Sequence, residues 1–141
     1  MQTRDVILVI DDDPVFLRSI GRLLEIHKFD ARAFASPEAF QSALIPAETV
    51  CILLDINLGE ISGIEIRRQL TRSGVLTPVI YMTASCSESR HEAASASGCV
   101  SILVKPFGSA LLLNAIQTAR ASLTQASAEI LPVTRYDPEA N

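Results

Sequence analysis

Short apolar runs alternate with helically spaced stretches from one end of this chain to the other, and that alternation restricts the fold more than any other feature. Val6 to Ile10 is apolar at every position, as expected of a strand buried on both faces of a sheet. Ala31 to Ala35, Val50 to Ile56, Pro78 to Met82 and Val100 to Val104 read as four further strands. Between them, Pro14 opens a helix whose Phe16, Ile20, Leu23, Leu24 and Ile26 form one apolar stripe. Ser36-Pro37 starts a second helix, serine as N-cap and proline at the first helical position, continuing through Phe40 and Leu44. Gly63 to Leu70 is a third, and Glu88 to Ser97 a fourth, stopped by Gly98. The fifth runs from Ser109 to about Leu123. Five strands alternating with five helices predict an α/β domain of right-handed βαβ units, its parallel sheet covered on both faces.

The 141 residues suit one domain, which can bury roughly two-thirds of its unfolded surface without a covalent staple. Hydrophobic residues make up 48% and charged residues 20%, a globular balance. A net charge of −4 with no basic stripe argues against direct nucleic-acid binding. Cys51, Cys86 and Cys99 are odd in number and include no close pair, which predicts reduced thiols in a reducing compartment. Cys51 and Cys99 read as small core residues, whereas Cys86 lies in a polar stretch. The opening Met1 to Asp5 leads into a strand too short to cross a membrane, so no membrane role and a cytoplasmic location are expected.

Parallel sheets of this kind place functional groups beyond the carboxyl ends of the strands. Strand one ends in Asp11-Asp12-Asp13, strand three in Asp55 followed by Asn57, strand four in Thr83-Ala84, and strand five in Lys105-Pro106. Carboxylates gathered at one edge repel, and a hard dication resolves the conflict. Mg²⁺ (or Mn²⁺) takes oxygen ligands and keeps several waters, so two or three protein oxygens suffice. Asp11 or Asp12, Asp55 and the Asn57 backbone carbonyl are the expected ligands. Asp13, beside Pro14, can be explained by the helix start alone. His27 and His91 fall on helices, leaving no Ser-His-Asp set, and Gly59 and Gly63 form no nucleotide-binding loop. An aspartate beside a metal and a lysine suits phosphoryl transfer, which depends on positioning and charge neutralisation. Asp55 would be the acceptor, Lys105 a fixed cation, Thr83 a hydrogen-bond donor, and Ala84 would leave room for the group.

With these residues in view, the chain resembles the receiver domain of two-component response regulators, of the CheY-like superfamily. The likeness rests on the acidic pair, on Leu54-Asp55-Ile56-Asn57-Leu58 with Gly63 eight residues after Asp55, on Met82-Thr83-Ala84, and on Lys105-Pro106-Phe107, all in order and at family spacing. It extends over about residues 5 to 123. It implies a flavodoxin-like fold with strand order 2-1-3-4-5, residues 1–124 as the receiver and 125–141 as a tail or linker stub. It further implies phosphorylation by a sensor histidine kinase or histidine phosphotransfer protein, a downstream protein target, and homodimerisation as an open option. Such a domain is a signalling phosphoacceptor that catalyses only its own phosphorylation and dephosphorylation.

Three residues depart from the family pattern. Gly59 stands where proline is usual and predicts a looser loop. Ser101 and Ile102 stand where aspartate and then an aromatic residue are usual, so the standard inward swing of a ring has no ring to use. The Leu111-Leu112-Leu113-Ile116 group is wider than one buried stripe needs and leaves some surface for a partner. In the tail, Ile130, Leu131, Val133 and Tyr136 could dock, while Pro132 and Pro138 prevent a continuous helix. Competing readings are the regulatory part of a longer DNA-binding transcriptional regulator, a phosphorylation-independent interaction module, and an aspartyl-phosphatase. The last would need a cap and an added acid-base group, and neither is visible.

Overall fold

The computed structural model describes residues 4–85, 87–126 and 134–135. Its main sheet has five parallel strands: β1 (Val6–Ile10), β2 (Asp30–Phe34), β3 (Thr49–Asp55), β4 (Val79–Thr83) and β5 (Ser101–Val104). Their spatial order is β2-β1-β3-β4-β5, so the direction of winding reverses at β1. Five helices connect or follow them: α1 (Pro14–Ile26), α2 (Pro37–Gln41), α3 (Gly63–Arg72), α4 (Glu88–Ala96) and α5 (Ser109–Ala126).

The continuous apolar strands are buried because helices cover both faces. Val6, Leu8, Ile10, Ile52, Leu54, Val79 and Tyr81 pack with Phe40, Ile64, Ile66, Leu70 and Ala94. Alternate residues of the same strands, Ile7, Val9, Cys51, Leu53, Ile80 and Met82, pack on the other face with Leu17, Ile20, Leu24, Leu112, Ile116 and Ala119. Thus α1 and α5 lie on one side, and α2, α3 and α4 on the other. Each fully buried Leu or Ile contributes about 2 kcal/mol, and β1, β3 and β4 carry most of them. Cys51 is part of this core, and burial pushes its thiol up to about 12. Cys99 is half-buried, and Cys86 lies outside the described residues.

Several local expectations are corrected. Helix α2 ends at Gln41 and does not reach Leu44; instead Leu44–Ile45 is extended and pairs antiparallel with Thr134–Arg135. Pro46 disfavours helical backbone at Ile45, and Ser42 caps the helix before it. Ile26 leaves the stripe of α1 and is 70% exposed. Two residues beyond Leu24, it lies about 200° around the helix, on the opposite face. The segment around Gly59 is a tight hairpin, Asn57–Leu58 paired with Ile61–Ser62, where a looser loop was expected. Gly59 adopts φ +86 and Glu60 does not enter positive φ, the pattern of a two-residue turn that begins on glycine.

On α5, Leu112 and Ile116 are buried and Leu113 half-buried, while Leu111 is exposed. Of the tail, only Thr134–Arg135 is described; Ile130, Leu131, Pro132, Val133, Tyr136 and Pro138 lie outside the described residues. Among the described residues, no helix is long and apolar enough to cross a membrane.

Candidate functional site

Strand register brings the site together. Ile10 is level with Leu54, so Asp11 and Asp55 follow at neighbouring strand ends. Asp55 is level with Met82, so Thr83 comes next on β4, and Thr83 is level with Val104, so Lys105 follows on β5. Four residues separated by up to 94 positions thereby share one edge without any help from the loops.

Carboxylate oxygens of Asp11, Asp12 and Asp55 lie within 4.8 Å of one another. Asp11 and Asp55 are buried and Asp12 is exposed, which leaves the cluster open on one side. Lys105 reaches in from β5, its Nζ 2.5 Å from Asp11 Oδ2 and 3.8 Å from Asp55 Oδ2. The same ammonium lies 4.1 Å from the centroid of the Phe16 ring, which packs edge-on against Phe107. The Lys105–Pro106 peptide is cis.

Backbone amides orient the acids. Asp11 Oδ1 accepts from the Asp13 amide at 2.9 Å, and Asp55 Oδ1 accepts from the Asn57 amide at 3.1 Å. Asp13 points away from the cluster chemistry: its Oδ1 accepts from the Val15 and Phe16 amides and caps α1. Gly63 fixes the approach of α3, its amide donating to the Ile56 carbonyl at 2.8 Å. A Cβ there would lie 2.3 Å from the Asp55 carbonyl oxygen, so only glycine fits without moving backbone.

Burial pushes the Asp55 carboxyl up to about 6; the Asn57 amide opposes this, Asp11 adds to it, Lys105 opposes it and Asp12 adds again. Three carboxylates facing one ammonium leave a surplus of negative charge among oxygen donors, a set suited to a small hard dication. Thr83 is fully buried, and its Oγ1 donates to the Ser85 carbonyl at 2.5 Å while accepting from the Ser85 amide.

The structure therefore gathers Asp11, Asp12, Asp55 and Lys105, and places Thr83 beside them with its hydroxyl turned to the β4–α4 loop. Asn57 meets Asp55 through its amide. His27 caps the end of α1 and His91 is exposed on α4. Phe16 was legible only as one member of an apolar stripe; its place two residues after Pro14, at the site end of α1, was the available signal.

The model of the family described as response regulator receiver domain matches residues 7–117, most of the chain. This chain belongs to the response regulator receiver family. The receiver is 34% identical over 115 residues to the transcriptional regulatory protein FixJ of Azorhizobium caulinodans, covering 82% of this chain and 53% of that protein. It is 29% identical over 114 residues to the response regulator protein TmoT of Ectopseudomonas mendocina, covering 81% of this chain and 52% of the relative. The chain spans about half the length of these curated relatives. A CheY-like receiver structure from Methanospirillum hungatei superposes with a TM-score of 0.77 at 20% identity, over 89% of this chain and all of that one, which shows the shared fold. Within this receiver, Ile102 is half-buried against the α3–α4 side of the core and is level with Tyr81.

Proposed function

We propose that Asp55 accepts a phosphoryl group from a sensor histidine kinase or a histidine phosphotransfer protein in the cytoplasm. The receiver then changes conformation to control a downstream protein. The observation that carries this reading is the Asp11, Asp12 and Asp55 cluster with Lys105 Nζ 3.8 Å from Asp55. Asp12 and Asp55, with Asp11 beside them and the Asn57 carbonyl as a further oxygen, would hold Mg²⁺ or Mn²⁺. When bound, the cation supplies charge neutralisation on the phosphoryl oxygens.

Above about pH 6 Asp55 is a carboxylate and a nucleophile. One of its oxygens attacks phosphorus as the bond to the donor imidazole nitrogen breaks, and the electron pair departs with the imidazole. The product is an aspartyl phosphate, and Lys105 holds positive charge beside it. Thr83 donates to a phosphoryl oxygen once its hydroxyl leaves the Ser85 carbonyl. This makes the domain a phosphoacceptor that acts only on its own aspartate, not an enzyme with an external substrate.

Acetyl phosphate with Mg²⁺ should add one phosphoryl group to the wild type by intact mass, and none to Asp55→Asn. Equal labelling of the variant overturns the assignment. The naming of FixJ as a transcriptional regulatory protein, with half of its length matched, favours a second reading of the output. In it this receiver is the regulatory part of a longer DNA-binding regulator. A helix-turn-helix encoded in frame beyond Asn141 supports that reading, and a stop codon there excludes it.

A further inference from the structure

Helix α4 is held unequally along its length. Glu88 to Glu92 are all exposed, whereas Ala93 is half-buried and Ala94 fully buried in the core. The helix carries too few apolar residues for a continuous stripe, so hydrophobic packing fixes only its second half. Two long-range hydrogen bonds reach that same end. Arg67 Nε of α3 donates to the Gly98 carbonyl at 3.0 Å, and the Tyr81 hydroxyl is 2.6 Å from Ser97 Oγ.

The direction of the second bond follows from proton count. Ser97 has one hydroxyl proton and donates it to the Ala94 carbonyl at 2.7 Å, so Tyr81 is the donor and Ser97 the acceptor. Ser97 is also the C-cap residue of α4, its amide bonded to the Ala93 and Ala94 carbonyls. The chain of contacts thus runs from the middle of β4 into the last turn of α4. Tyr81 is 0% exposed, so Ser97 and not solvent meets its phenol in the folded domain.

Ahead of α4, the Thr83–Ser85 pair closes the turn by which the chain leaves the same strand, three residues before Glu88. Thr83 and Tyr81 are two residues apart on β4 and point to the same face. The strand therefore holds the last turn of α4 by a hydroxyl remote from the site, while the hydroxyl that phosphorylation would recruit bonds the connection leading to the helix, at Ser85. Tyr81 also stands level with Ile102, and so supplies an aromatic ring beside a position where β5 has none.

We propose that Tyr81 is a positioning residue that anchors the C-terminal end of α4 through Ser97, so that α4 moves as a lever from its N-terminal end. The anchor is a property of the unmodified domain; the lever rests on Asp55 being the phosphoacceptor. Release of Thr83 from Ser85 frees the Ala84 to Glu88 connection, while the Tyr81–Ser97 bond stays outside the reacting region.

Hydrogen exchange by mass spectrometry on wild type, Tyr81→Phe, Ser97→Ala and the double variant tests the anchor in metal-free protein. Tyr81→Phe should speed exchange of amides 94–98 about five-fold, the equivalent of one neutral hydrogen bond, and Ser97→Ala by more, since it also loses the bond to the Ala94 carbonyl, with α3 and β3 unchanged in both. The double variant should exchange no faster than Ser97→Ala alone, because that change already removes the Tyr81 bond. Unchanged exchange at 94–98, or additive effects, overturns the anchor. Beryllofluoride with Mg²⁺, the fluoride standing in for the phosphoryl group, tests the lever. Wild type should change at 84–92 and little at 94–98, and in Tyr81→Phe the change should spread along the whole helix. An equal wild-type response at both ends overturns the lever. No response anywhere overturns the phosphoacceptor reading and the lever together, and the anchor is then decided by the metal-free exchange.

Discussion

The ammonium of Lys105 is hydrogen-bonded to Asp11, 2.5 Å away, and makes a second, longer ion pair with Asp55 at 3.8 Å. Asp11 is fully buried, so this pair compensates a charge that solvent cannot reach. Lys105→Met keeps the length of the side chain and removes its charge, leaving Asp11 facing two other carboxylates. In metal-free buffer at pH 7 the variant should lose about 2 kcal/mol of stability, below the usual figure for a broken buried pair because Lys105 is 20% exposed. Urea denaturation measures this. Added Mg²⁺ should stabilise the variant more than the wild type, and equal gains would contradict the charge argument.

Asp55 gives the metal-free domain a pH dependence of definite sign. Its folded-state pKa is about 6, above the ordinary 3.8, so the folded state holds a proton that the unfolded state has lost. Between those two values stability falls as pH rises, and the penalty is fully present above pH 6. Asp55→Asn removes the titration and should be the more stable protein at pH 7 by on the order of 2 kcal/mol, the difference closing toward pH 4. Denaturation curves at pH 4, 5, 6 and 7 give the comparison. Apparent Mg²⁺ affinity of the wild type should rise over the same interval, since binding must displace that proton.

Neighbouring aspartates at the end of β1 have separate tasks. Asp12 faces outward within the three-carboxylate cluster, whereas Asp13 caps α1 through the Val15 and Phe16 amides. Asp12→Ala should weaken Mg²⁺ binding at least ten-fold, roughly the effect of losing one carboxylate ligand, with little change in stability. Asp13→Ala should lower stability by about 1 kcal/mol and leave Mg²⁺ affinity nearly unchanged. An NMR titration following the amides of 11–13, 55–58 and 83 separates the two effects. Greater loss of binding in Asp13→Ala would reverse the ligand assignment.

The strand ends were readable because burial on both faces makes each central strand apolar until it meets the site. Asp11, Asp55 and Lys105 interrupt those runs, and the register of the parallel sheet brings them level. Contacts that depend on side-chain direction were not readable. Phe16 beneath Lys105 looks like any other apolar residue of α1, and Tyr81 like any other core residue of β4. Leu44 continues the apolar spacing and so conceals the end of α2, although Pro46 stops the helix. Gly59 alone permits a slack loop and a tight turn equally; the pairing of Leu58 with Ile61 decides for the turn.

That turn gives the last test, since Gly59 takes the place of the proline usual in the family. A Cβ at Gly59 would meet nothing within 4 Å, so any cost of substitution comes from the backbone alone. At φ +86, Gly59→Ala should cost about 1 kcal/mol. Proline is locked near −65° and cannot occupy this turn at all, so Gly59→Pro should cost on the order of 2–3 kcal/mol and open the hairpin. Opening it should also weaken the bond from the Asn57 amide to Asp55 Oδ1, one of the two influences holding the Asp55 carboxyl down. The Asp55 titration in Gly59→Pro should therefore move above 6, whereas Gly59→Ala should leave it in place. Thermal unfolding and NMR titration of the Asp55 side chain report the two quantities independently. A stable Gly59→Pro protein with an unshifted Asp55 would show that this hairpin does not support the acceptor.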